Sequence, residues 1–85
     1  MVDKLEIFKK KLLYRASYRG TKEMDILLSG FVKKYINKFN TAELLELEKF
    51  LKLEDETILN FYNFNVVDNK IDKNPISSIF KKYKV

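Results

Sequence analysis

The apolar residues of this chain recur every three to four positions, which is the spacing of an amphipathic helix. The longest stripe is Met24, Leu27, Leu28, Phe31, Val32, Tyr35, Ile36 and Phe39. An earlier, shorter stripe of Leu5, Phe8 and Leu12 predicts a first helix, which begins after a capping Asp3 and ends at about Ser17. The first half of the chain therefore predicts two helices joined by a short turn.

Three further helices are indicated by the residues that open them. Asn40 and Glu43 have the spacing of a capping box. Glu54 and Asp55 place negative charge where the positive end of a helix dipole favours it. Asn74 precedes a proline, which suits the first position of a helix. The apolar faces that follow are Leu44, Leu47, Phe50 and Leu51, then Ile58, Leu59, Phe61 and Tyr62, and finally Ile76, Ile79, Phe80 and Tyr83.

Two local features complete the predicted fold. Gly30 lies inside the second helix, where glycine costs about 1 kcal/mol relative to alanine, so we expect another helix to pass close to it. The stretch 63–74 is rich in Asn, Asp and Lys and reads as a loop, with Val66, Val67 and Ile71 expected to hold it against the body. We predict an all-α protein, a small five-helix bundle that forms a single domain over residues 1–85.

The charge and hydropathy of the chain indicate where the protein is located and which kinds of partner it binds. The net charge is +5, but acidic residues are interleaved with the basic ones, which is typical of a solvated surface. No apolar run approaches the roughly 20 residues that cross a bilayer, and the N-terminus lacks the apolar core of a secretory signal. We therefore expect a cytoplasmic protein without membrane insertion.

The residue types that most enzymes and metal sites need are missing. The chain contains neither cysteine nor histidine, which excludes thiolate metal sites, Ser-His-Asp triads and imidazole acid–base chemistry. Gly20 and Gly30 are its only glycines, and their spacing does not form a phosphate-binding loop. We expect no catalytic residue, no metal site and no tightly bound cofactor.

The candidate functional residues surround the turn between the first two helices. Gly20 is expected to take the left-handed conformation that ends a helix, and Thr21 to cap the next one. A reversal needs only those two residues. The additional charges at Arg15, Arg19, Glu23 and Asp25 therefore indicate a surface presented to a partner.

Other interpretations of this turn stay open at the level of sequence. Arg19 and Glu23 could simply pair with each other across the bend. The chain could instead be a nucleic-acid-binding module, with its lysines facing phosphates and Tyr14 and Tyr18 stacking on bases. The carboxylates beside the arginines argue against that reading, because they would repel phosphate. A generic helical interaction domain is the remaining alternative.

Two blocks of sequence carry a resemblance to a known family. The first is Leu13-Tyr14-Arg15, Arg19-Gly20-x-x-Glu23-x-Asp25, Leu27-Leu28 and Phe31, and the second is Glu48-x-Phe50-Leu51, Asp55 and Ile58-Leu59-Asn60. Together they resemble the small succinate dehydrogenase assembly factors, the SdhE-type FAD assembly or flavinator family, over about residues 5–62. Thr21 stands where that family usually has an apolar residue, and Phe61 where it often has Trp.

The resemblance implies a function and a contact surface. It implies a protein that binds the flavoprotein subunit of succinate dehydrogenase, or of its fumarate reductase relative, and promotes covalent attachment of FAD to a histidine of that subunit. The contact residues that it implies are Arg19, Gly20 and Glu23, flanked by Arg15 and Asp25. On this reading the chain supplies no catalytic group and holds no cofactor of its own.

Overall fold

A computed structural model describes residues 3–67, 71 and 74–84 of the chain. Five helices lie within these residues, and they confirm the predicted all-α fold. They are α1 (Lys4–Ala16), α2 (Lys22–Tyr35), α3 (Thr41–Leu51), α4 (Asp55–Phe64) and α5 (Pro75–Lys82).

The predicted apolar stripes meet in one core. Helix α1 packs against α2 and α3, and α5 packs against α3 and α4. Phe31, Phe50 and Phe80 are fully buried, and the Phe80 ring centroid lies 5.1 Å from that of Phe31 and 5.2 Å from that of Phe50. Three helices thus place one aromatic ring each at the centre, in the tilted and edge-on arrangements that aromatic pairs prefer.

The helices begin where their capping residues predict. Asp3, Thr21 and Asn74 each accept a hydrogen bond from a backbone N–H in the first turn that follows. Asn40 and Glu43 form the full capping box, with both bonds at 2.8–2.9 Å. Because each cap satisfies an otherwise unpaired N–H group, these short polar residues fix the helix starts locally.

The second apolar stripe is longer than the helix that carries it. Helix α2 ends at Tyr35, and the chain turns through residues 36–39. The N–H of Phe39 still donates to the carbonyl oxygen of Tyr35, and the two rings stack with centroids 5.6 Å apart. Phe39 therefore stays buried on the same face although the helix has ended.

The predicted loop differs from the structure in two ways. Helix α4 continues through Phe64 and ends at Asn65, which takes the left-handed conformation with φ 57°. Val66 and Val67 are each more than half exposed, so the expectation that they hold the loop against the body is wrong, whereas Ile71 is buried. Positions 68–70, 72 and 73 of the predicted loop lie outside the described residues.

The expectation of a close approach at Gly30 is confirmed. A Cβ atom at this position would lie 2.6 Å from the phenol oxygen of Tyr83, the residue that ends α5. The hydroxyl of Tyr62 donates to the backbone oxygen of Tyr83 at 2.6 Å, which holds this end of α5 in place. Glycine is thus used here for space.

Candidate protein-interaction site

The α1–α2 corner, which we define as residues 17–21, reverses the chain in a different way from the prediction. Ser17 ends α1 and Tyr18 takes the left-handed conformation with φ 57°, whereas Gly20 has no positive φ. The N–H of Tyr18 donates to Oδ1 of Asp25 at 3.2 Å. The predicted left-handed Gly20 is therefore wrong, because the left-handed residue is Tyr18, two positions earlier, and a carboxylate of α2 accepts a hydrogen bond from its N–H.

Arg19 lies inside the corner and is bound by its own chain. Its side chain is only 12% exposed, and its Nε donates to Oδ1 of Asp55 at 2.7 Å. The remaining guanidinium nitrogens donate to three backbone carbonyls, those of Arg15, Leu51 and Leu53, at 3.0–3.3 Å. The alternative in which Arg19 pairs with Glu23 is therefore wrong, since its carboxylate partner comes from α4.

This arrangement brings three helix ends to one cation. The carbonyls of Arg15 and Leu51 belong to the last turns of α1 and α3, where carbonyls lack helical partners and carry partial negative charge. Asp55 is the first residue of α4. The Arg19 guanidinium, a planar group with five N–H donors, thus connects the first of the two sequence blocks to the second. We call the cluster of Arg19, Gly20 and Asp55 the corner clamp.

Gly20 completes the corner clamp through its backbone. Its N–H donates to Oδ2 of Asp55 at 3.1 Å, so the two oxygens of one carboxylate bind two consecutive residues. A Cβ atom at position 20 would lie 3.3 Å from the same Oδ2. The glycine is therefore explained by the close approach of a carboxylate and not by backbone conformation.

The other predicted residues lie around the clamp with different degrees of exposure. Arg15 is half-buried, and its guanidinium lies 3.9 Å from a carboxylate oxygen of Glu48. Asp25 is half-buried and holds the N–H of Tyr18. Glu23 is exposed and forms no hydrogen bond or ion pair with any residue that the structure describes. Both carboxylates lie in the first turn of α2, where the helix dipole favours them.

The sequence prediction did not include every residue that shapes this site. Asp55 was assigned only to the start of α4, although its presence in the second matched block was a signal for a role shared with Arg19. Tyr18 had no such signal, because a tyrosine rarely takes a positive φ. Its left-handed conformation costs about 1–2 kcal/mol, which the bond from its N–H to Asp25 offsets in part.

The described residues contain neither a membrane-spanning helix nor a cluster of metal ligands. No helix among them is long and apolar enough to span a bilayer, and they hold no group of three or more acidic side chains arranged for a metal ion.

The whole α1–α2 corner lies within a segment that matches one protein family. Residues 10–84 match a family described as the flavinator of succinate dehydrogenase. The match includes Arg15, Arg19, Gly20, Glu23 and Asp25, and it also includes Asp55, which supplies the carboxylate of the clamp.

Several curated relatives agree with this match. A mitochondrial succinate dehydrogenase assembly factor 2 from Scheffersomyces stipitis is 45% identical over 60% of this chain and 34% of its own length. The same-named protein from Debaryomyces hansenii is 30% identical over 98% of this chain and 55% of its own length. An FAD assembly factor SdhE from Acetobacter pasteurianus is 34% identical over 69% of this chain and 54% of its own length. The chain thus spans about a third to half of the length of these relatives.

Proposed function

The chain belongs to the family of succinate dehydrogenase flavinators, and on that premise we propose that it binds the flavoprotein subunit of succinate dehydrogenase, or of the related fumarate reductase, and promotes covalent attachment of FAD to that subunit. The observation that carries the proposal is the match over residues 10–84. Relatives named as assembly factors for succinate dehydrogenase and for FAD support it. A cytoplasmic location stays a prediction, since the yeast relatives are named as mitochondrial.

We propose that the chain positions the groups that react and does not supply a reacting group itself. The sequence contains neither histidine nor cysteine, and the side chain that forms the bond to the flavin is proposed to be a histidine of the flavoprotein. Holding two reacting groups in the right geometry can lower the activation barrier by several kcal/mol. A small rigid protein that binds the partly assembled subunit with FAD in place would have this effect, and it needs no cofactor of its own.

The predicted contact residues enter this proposal with two kinds of role. Glu23 is exposed and unpaired among the described residues, so we propose that it accepts a hydrogen bond from the flavoprotein directly. Arg19 points inward, so we propose that it acts as a positioning residue, which fixes the corner through Asp55. Gly20 is exposed, so we propose that it lets the backbone of the partner approach closely, and Arg15 and Asp25 flank these contact residues.

Co-expression with the flavoprotein subunit from the same genome tests this function. We expect covalently bound flavin, read as fluorescence of the denatured subunit on a gel, to rise when the chain is present. The control is a flavoprotein variant without the flavin-linking histidine, which should give no signal in either case. Equal fluorescence with and without the chain would contradict the proposal.

A further inference from the structure

Two exposed tyrosines form a surface that the corner clamp does not use. Tyr14 is 68% exposed and Tyr18 is 78% exposed, and their ring centroids lie 5.2 Å apart. The other three tyrosines, Tyr35, Tyr62 and Tyr83, are half-buried and pack against the core. The two rings line an open groove of about 370 Å³ together with Lys10, Leu13, Ser17 and Lys33, which we call the tyrosine groove.

The fold sets the backbone positions that carry the two rings of the tyrosine groove. Tyr14 lies on α1, whereas Tyr18 lies beyond the end of that helix, where its backbone is left-handed and its N–H donates to Asp25. The two rings also contact each other in a tilted arrangement. Because tyrosine has few rotatable bonds, it loses little entropy when it is covered, and it is frequent at the centres of protein interfaces.

Two lysines line the same groove as these rings. Lys10 on α1 and Lys33 on α2 are exposed, and neither forms an ion pair with an acidic side chain that the structure describes. The same face therefore combines aromatic surface with unpaired positive charge from two helices. Its chemistry complements a segment that carries carboxylates near an apolar residue.

We propose that the tyrosine groove binds an acidic segment of the client flavoprotein, whose carboxylates meet Lys10 and Lys33 while an apolar side chain covers Tyr14 and Tyr18. This inference rests on the proposed function and extends its contact surface from the α1–α2 corner along α1 and α2. A protein segment fits better than a nucleic acid, because its carboxylates need to lie only at the two lysines, whereas a nucleic acid carries a phosphate at every nucleotide and would also place charge beside Glu23 and Asp25 at the start of α2.

The test compares two double charge reversals in the full chain. Lys10→Glu with Lys33→Glu changes the tyrosine groove, and Lys82→Glu with Lys84→Glu makes the same change of net charge elsewhere. The pairs are matched, since Lys33 and Lys82 each lie in the last turn of a helix and all four lysines are exposed. Affinity for the purified flavoprotein subunit should fall by about tenfold or more for the groove pair and change little for the control pair.

A second variant removes the rings without disturbing the backbone. Tyr18→Asn suits the left-handed conformation, because asparagine tolerates it better than most residues, and Tyr14→Gln keeps a good helix former on α1. This double variant should also bind about tenfold more weakly while its thermal unfolding stays close to that of the wild type. A photo-crosslinking residue at position 14 should label an acidic segment of the flavoprotein.

The outcomes separate this inference from the function on which it rests. Wild-type affinity in both groove variants, with an active wild-type chain, would overturn the groove and leave the proposed function standing. A wild-type chain that neither binds the flavoprotein nor raises covalent flavin would overturn both. Groove variants that lose micromolar binding to labelled oligonucleotides at physiological salt, but keep their affinity for the flavoprotein, would overturn the groove in favour of a nucleic acid.

Discussion

Arg19→Ala is expected to lower the free energy of unfolding by about 2–4 kcal/mol. The substitution leaves Asp55 without its cation and leaves the carbonyls of Arg15 and Leu51 without their donor. Removing one partner of a buried ion pair costs about 3–5 kcal/mol, and the figure is reduced here because the Asp55 side chain is 30% exposed. For a chain of this size, a loss of that order lowers the melting temperature by about 10 °C or more. Chemical denaturation monitored by circular dichroism measures the change.

Arg15→Ala is the matched control for this prediction. It removes the same type of side chain four positions earlier, but it keeps the backbone carbonyl that Arg19 uses. The Arg15 guanidinium lies 3.9 Å from Glu48 in a partly exposed pair, so its loss should cost no more than about 1 kcal/mol. Equal stabilities for the two alanine variants would show that the corner clamp does not stabilise the fold. The sequence-based prediction differs, because there Arg19 belongs to a surface presented to a partner.

Asp55→Ala is expected to destabilise the chain by a similar amount, about 2–4 kcal/mol, because it strands a guanidinium that is only 12% exposed and removes the acceptor of the Gly20 N–H. The Arg19→Ala, Asp55→Ala double variant should cost little more than either single change. The double-mutant cycle would then give a coupling energy of about 2 kcal/mol. Glu56→Ala is the control, since it removes a neighbouring carboxylate from the same first turn.

Additive costs in this cycle would contradict the clamp. They would mean that Arg19 and Asp55 stabilise the chain independently, despite the 2.7 Å contact between Nε and Oδ1. A large effect of Glu56→Ala would instead assign the loss at Asp55 to the helix dipole of α4 and not to its ion pair.

The fold could be predicted from the sequence because its helices are encoded locally. Asp3, Thr21, Asn40 and Asn74 cap the helices that follow them within three residues, so each start is visible in a short window. Helix ends depend more on tertiary contacts. The stripe that ends at Phe39 runs past the end of α2, because a residue in a turn can also be buried.

The site was predicted less completely, for a physical reason. Arg19 and Asp55 lie 36 positions apart in the sequence, so no local pattern can pair them. Only the resemblance placed both in matched blocks, and it did not say that they touch. The inward direction of Arg19 follows from its contacts with α1, α3 and α4, and the left-handed Tyr18 is bound by Asp25 of α2. The predicted residues do surround one corner. The side chain of Arg19 belongs to the buried corner clamp, whereas the side chain of Glu23 is exposed.

The affinity of the Glu23→Ala variant for the flavoprotein subunit tests most directly whether the surface around the α1–α2 corner binds that subunit. Glu6→Ala is the control, because it removes an exposed carboxylate near the opposite end of α1. We expect the dissociation constant of the Glu23 variant to rise by about tenfold, within the range of an interface hot spot, while its free energy of unfolding falls by less than about 1 kcal/mol, the contribution of a carboxylate to the helix dipole. Unchanged affinity of the Glu23 variant, or no measurable affinity of the wild-type chain, would contradict the proposal that this corner binds the flavoprotein.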